Sequence, residues 1–175
     1  MSTIIDKFIE DMDNVHNENI EKQSRIDKNF IHIAEVFSKN SYALRRKVGC
    51  ILVKNKMIIS NGYNGTLPNM PNECEYFDGN QNPTIDELNN ANSLGVKLIT
   101  KDNVMHAEQN AIAKCARNGV SCEGATAYCT LECCESCAKL MIMSGIKRFV
   151  YKESYRCHDG IELLKRANVE VKQIQ

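Results

Sequence analysis

Two short runs in this sequence combine residue types and spacings that can do chemistry: His106-x-Glu108 and Cys134-x-x-Cys137. Two cysteines three apart at a helix start can both turn toward one metal ion, and a histidine at a neighbouring helix start can supply a third ligand. Three ligands leave a tetrahedral zinc one open position for water, whose acidity then rises toward neutrality. Glu108, two residues past the histidine, stands where a carboxylate can move protons without binding the metal. Taken alone, Cys134 and Cys137 fit a structural zinc knuckle or a redox pair as well as a catalytic ion. The addition of His106 and Glu108 favours the catalytic reading.

The elements that must position these residues alternate between helix and strand. Apolar residues Phe30, Ile31, Ile33, Ala34 and Phe37 recur at helical spacing and predict a helix over Ile26–Ser38. Val48–Val53 and Met57–Ser60, separated by Lys54-Asn55-Lys56, predict a hairpin. A helical pattern runs from about Val104 to Arg117 and stops at Asn118-Gly119. A strand at Ala125–Thr130, a helix at Cys134–Ser144, a strand at Arg148–Tyr151, a helix at Gly160–Ala167 and a strand at Val169–Val171 follow. The apolar runs Ile51–Val53 and Phe149–Tyr151 do not alternate with polar residues, which implies a sheet covered on both faces. The expected fold class is therefore α/β, a three-layer α/β/α domain with a mixed central sheet of about five strands, over residues 26–175. Residues 1–25 read as an N-terminal extension, a short amphipathic helix and a loose linker. The stretch 64–102 holds all three prolines and reads as a long insertion with one helix within Ile85–Leu94.

Composition narrows the function classes. Lys plus Arg equals Asp plus Glu at 22 each, so nothing resembles the basic surface of a nucleic-acid binder. No apolar stretch approaches the roughly 20 residues of a membrane span, and residues 1–10 have no signal-like apolar centre. Nine cysteines form an odd count, which argues for reduced thiols and a cytoplasmic setting, the host cytoplasm if the protein is viral.

The residues around the two runs extend the pattern. Arg45-Arg46-Lys47-Val48-Gly49, Asn61-Gly62-Tyr63-Asn64-Gly65-Thr66, His106-Ala107-Glu108-Gln109-Asn110-Ala111-Ile112, Ala116-Arg117-Asn118-Gly119, Thr130-Leu131 and Ser144-Gly145-Ile146-Lys147 together resemble deoxycytidylate (dCMP) deaminases of the cytidine deaminase superfamily, phage enzymes included. The resemblance covers roughly Ile26 to Val171 and implies the cytidine-deaminase-like fold. It also implies one catalytic Zn2+ per subunit on His106, Cys134 and Cys137, with Glu108 as the proton carrier. The implied reaction is water attack at C4 of cytosine, protonation of N3 by Glu108 and departure of the amine as ammonia, so that dCMP becomes dUMP. Ala107 and Asn64 would hold base and sugar. Ser41, Arg45, Arg46 and Tyr155 fall in the region that binds phosphate in relatives, and Arg45 and Arg46 remain indistinguishable at this level. Regulation by dCTP and dTTP in a homo-oligomer, often a hexamer, is common in the family.

Two departures bear on the metal. Members usually carry proline just before the first ligand cysteine, whereas this chain has Cys133, a possible competitor for the ion. Some relatives hold a second, structural zinc through a residue two positions before the catalytic histidine. Here that position is Val104, which argues against a second ion. His16, His32 and His158 assemble no site in sequence. The competing functions are deamination of a modified deoxycytidylate, free cytidine or adenosine in RNA, and a non-catalytic zinc-stabilised binding module. A structural zinc has no use for Glu108, and balanced charge argues against RNA.

Overall fold

The computed structural model describes residues 2–77, 83–91 and 97–175. Its centre is a five-stranded mixed sheet of order β2-β1-β7-β8-β9, built from β1 (Gly49–Lys54), β2 (Met57–Tyr63), β7 (Thr126–Leu131), β8 (Arg148–Glu153) and β9 (Glu170–Gln173). The β2–β1 and β1–β7 pairs are antiparallel, whereas β7–β8 and β8–β9 are parallel. The β1–β2 hairpin turns through Asn55 and Lys56, both with positive φ, the pairing that suits the twist of a two-residue hairpin loop.

Helix α1 (Ser2–Ser38) covers one face of the sheet. Its Ile31 and Ala34 pack with Ile51, Val53, Tyr128 and Val150. Helices α3 (Ala107–Arg117), α4 (Glu135–Met143) and α5 (Asp159–Arg166) cover the other face. There Cys50, Leu52, Ala127, Cys129 and Phe149 pack with Ala111, Met141 and Leu164. Alternate residues of each strand thus enter different cores, both apolar, which is why these strands read as unbroken apolar runs. The expected three-layer α/β/α domain is what forms.

Three local expectations are corrected. Residues 2–25 do not break into a short helix and linker: α1 runs unbroken from Ser2 to Ser38, since no proline or glycine interrupts it. The insertion is more ordered than its composition suggests. It contributes β3 (Gly65–Thr66) paired with β6 (Val104–Met105), β4 (Glu75–Phe77) paired with β5 (Leu98–Thr100), and a short α2 (Ile85–Asn89) capped by Thr84. The end of the Ile85–Leu94 pattern lies outside the described residues. Third, α3 starts at Ala107, because Val104 and Met105 are used as strand β6.

Candidate active site

His106 and Cys134 are both N-cap residues with extended backbone, His106 for α3 and Cys134 for α4. The sequence therefore delivers three potential ligands through two helix starts that converge on one face of the sheet. Helix α3 is fixed against β2 by Ser60 Oγ donating to the Ala111 carbonyl at 2.7 Å and by Asn110 Nδ2 donating to the Tyr63 carbonyl at 3.0 Å. The contact is close: a Cβ on Gly62 would lie 2.6 Å from Ala111 N and nearer still to the Ala107 carbonyl oxygen. On the other side, α5 sits so close to the ligand loop that a Cβ on Gly160 would lie 2.9 Å from Cys134 C.

His106 Nδ1 lies 3.4 Å from Cys134 Sγ and 3.4 Å from Cys137 Sγ. Among the described residues these three form the group whose ligand atoms lie within 4.8 Å of one another. A tetrahedral zinc with sulfur at about 2.3 Å and nitrogen at about 2.0 Å spaces those atoms about 3.5 Å apart, so the donor set and its spacing fit the ion. Hydrogen bonds from Cys137 and then His106 outweigh burial and pull the Cys134 thiol down to about 3. The same bond, together with burial, pushes Cys137 up, and the bond to Cys134 pushes His106 up. A pocket that favours ionised sulfur beside two helix N-termini suits a cation that needs sulfur as its anion. Cys133 stands apart: it is fully buried in the core beneath α4 and α5, and burial raises its thiol.

Glu108 is 4% exposed and lies in the first turn of α3, where burial raises its carboxyl above the ordinary range. It borders a cleft of about 400 Å³ together with His106, Ala107 and Cys134. Of the residues expected to meet a nucleotide, Arg45, Arg46, Asn64, Ala107 and Tyr155 all line this cleft. Ser41 does not: it is buried, donates from Oγ to the Asn64 carbonyl at 2.7 Å and accepts from Ala43 N–H at 3.1 Å. The Asn64 side chain accepts from Val48 N–H at 2.8 Å and donates to the Arg46 carbonyl at 2.9 Å, tying the arginine run to the end of β2. Arg45 and Arg46 also part company here. Arg45 donates to Thr100 Oγ1 at 2.8 Å, whereas Arg46 lies 3.8 Å from Glu153.

Several cleft residues were not anticipated. Glu75, 2% exposed, accepts from Leu44 and Arg45 N–H groups at 3.1 and 3.3 Å. Glu132, 3% exposed, and Arg156 line the cleft as well. His158, to which sequence assigned nothing, lies 2.7 Å from Glu132 through Nδ1. The available signal was a glutamate at the end of the largely apolar strand run Ala125–Leu131, where a charge needs partners.

Residues 24–153 match the family model described as the cytidine and deoxycytidylate deaminase zinc-binding region. The chain is 36% identical over 166 residues to the deoxycytidylate deaminase of Enterobacteria phage T4, covering 81% of this chain and 86% of that protein. It is 31% identical over 148 residues to the deoxycytidylate deaminase of Saccharomyces cerevisiae, covering 84% of this chain but 44% of the yeast protein. Among solved structures it resembles the dCMP deaminase of cyanophage S-TIM5 in complex with dCMP and dUMP, with a TM-score of 0.72 and 35% identity, over 86% of this chain and 97% of that one.

Proposed function

This chain belongs to the cytidine and deoxycytidylate deaminase family, and on that footing we propose that it is a zinc-dependent hydrolase converting dCMP and water to dUMP and ammonia, thereby supplying dUMP for thymidylate synthesis. The observation that carries the reading is the convergence of His106, Cys134 and Cys137 within 4.8 Å, with His106, Cys134 and the buried Glu108 lining the same cleft as Arg45 and Arg46.

His106, Cys134 and Cys137 would hold the zinc. When bound, the ion supplies Lewis acidity that brings a water's pKa to near neutrality. Glu108 takes the first proton of the attacking water and delivers it to N3 of cytosine, then takes the second from the new hydroxyl on C4 and delivers it to the amine, which leaves as ammonia. Its burial keeps bulk water away from those transfers. The Ala107 backbone and Asn64 border the space for base and sugar, with Asn64 also holding the 46–48 backbone in place. Arg45, Arg46 and Tyr155 stand where a 5′-phosphate would meet cationic and hydroxyl donors. Ser41 acts at one remove, through the Asn64 carbonyl.

The same proposal assigns residues 26–175 to the catalytic domain and 1–25 to an N-terminal extension of α1. It also includes assembly into a homo-oligomer, a hexamer in the form the family resemblance implies, and regulation by dCTP and dTTP. These rest on the resemblance alone, and light scattering with and without dCTP tests them. No helix among the described residues is long and apolar enough to cross a membrane, and nine free thiols suit a reducing cytoplasm.

The direct test offers dCMP, deoxycytidine and cytidine in parallel to metal-analysed protein and measures ammonia. Turnover confined to dCMP supports the phosphate-reading cleft. Bound zinc with no turnover of dCMP would overturn the substrate assignment.

A further inference from the structure

Glu132 follows the last residue of β7 and precedes Cys133-Cys134, so it joins the sheet to the ligand loop. Its carboxylate is buried, and both oxygens are directed at one neighbouring segment. Oε2 accepts from Tyr155 N–H at 2.9 Å, and Oε1 lies 2.7 Å from His158 Nδ1. Its own N–H donates to the Glu153 carbonyl at 2.8 Å. Two bonds from its side chain thus hold the stretch between β8 and α5, which has little regular structure of its own, and a third from its backbone fixes the end of β8. Gln173 Nε2 also ties that stretch, donating to Ser154 Oγ at 3.1 Å.

The held stretch carries two cleft residues, Tyr155 and Arg156, with the Arg156 guanidinium 5.5 Å from the centre of the Tyr155 ring. A buried carboxylate is expensive unless bonded, and this one stands two residues before the ligand Cys134. A small neutral residue would fill the position without that cost. What the carboxylate adds is the location of Tyr155 and Arg156 relative to the metal-ligand loop.

We propose that Glu132 is a positioning residue that fixes Tyr155 and Arg156 over the cleft and thereby sets affinity for the phosphate end of the nucleotide. The inference rests on the dCMP reading above. It assigns Glu132 no contact with substrate and no proton transfer.

The test uses full-length, metal-analysed protein carrying Glu132→Ala, Glu132→Gln or His158→Ala, with dUMP affinity measured by calorimetry and dCMP kinetics alongside. Hydrogen bonds to a charged group contribute about 1.5–3 kcal/mol, so in Glu132→Ala dUMP binding weakens and KM for dCMP rises by about tenfold or more. In that variant kcat moves by no more than about threefold, because uniform binding is what is lost. Zinc content stays at the wild-type value. Glu132→Gln, which can still accept from Tyr155 N–H, recovers most of the affinity, and His158→Ala falls between. Unchanged dUMP affinity in Glu132→Ala, or lost zinc and kcat at constant KM, would overturn the proposal. If Glu132→Ala does not fold, His158→Ala decides, since its side chain is largely exposed, and unchanged dUMP affinity there is the contrary result. Failure of the wild-type protein to turn over dCMP would instead remove the substrate reading.

Discussion

The fully buried carboxylate of Asp27, on α1, receives both terminal nitrogens of Arg148, on β8: Nη1 lies 2.7 Å from Oδ1 and Nη2 lies 2.8 Å from Oδ2. Lys172 Nζ at 3.1 Å, Tyr128 OH at 3.0 Å and Gln23 Nε2 at 2.9 Å complete its surroundings. One residue therefore ties the helix on one face of the sheet to three of the sheet's side chains, Tyr128 on β7, Arg148 on β8 and Lys172 on β9.

Burial opposes ionisation of Asp27, but hydrogen bonds from Arg148, Gln23 and Lys172 outweigh it and bring the carboxyl from 3.8 to about 2. The folded value lies below the unfolded one, so the unfolded chain takes up the proton first as pH falls. At about 1.4 kcal/mol per pKa unit, the stabilisation is about 2–3 kcal/mol. It is fully present above the unfolded value and is lost as pH falls through 3.8 toward 2. Asp27→Asn should remove that acid-dependent component and, by taking the buried carboxylate away from Arg148 and leaving it paired with the exposed Glu170, cost about 3 kcal/mol at neutral pH, read from urea midpoints. An acid profile identical to wild type would contradict the assignment.

Cys133 and Cys134 are neighbours with opposite environments, one in the core and one facing His106. Cys134→Ser and Cys137→Ser should abolish stoichiometric zinc, whereas Cys133→Ala retains it at a stability cost of about 1 kcal/mol for the small cavity. Metal analysis of the purified variants decides, and loss of zinc in Cys133→Ala would make Cys133 a ligand.

A Cβ at Gly62 has no room against the backbone of Ala107 and Ala111, and that backbone belongs to the helix that carries Glu108. Gly62→Ala should push α3 off the sheet, lowering stability by about 1–3 kcal/mol. It should also lower kcat by about a hundredfold through displacement of the proton carrier. A variant that loses stability but keeps kcat would show that α3 moves without carrying its first turn along.

The reach of sequence differs between the parts of this molecule. His106, Glu108, Cys134 and Cys137 were legible because their spacing and helix-start positions encode their convergence, and the strands because both faces meet apolar helices. Cys133 against Cys134 stayed open until the fold turned one inward and the other outward. The continuity of α1 was missed because its polar first half resembles a linker, and the β3–β6 and β4–β5 ribbons because strands of two or three residues have no readable period. Ser41 illustrates the other limit. A hydroxyl's position in a segment does not reveal which way it points, and here it supports Asn64 from within. The Glu132–His158 pair spans 26 residues and carries no local signature.

The measurement closest to the central claim is turnover of dCMP by Glu108→Gln, with zinc quantified in the same sample. Zinc at the wild-type level with a loss of about a hundredfold or more in dUMP formation is the expected result, because the amide keeps the shape but cannot move the protons. Near-normal formation of dUMP by zinc-loaded Glu108→Gln would contradict the account, since proton transfer would then belong to some other group in the cleft.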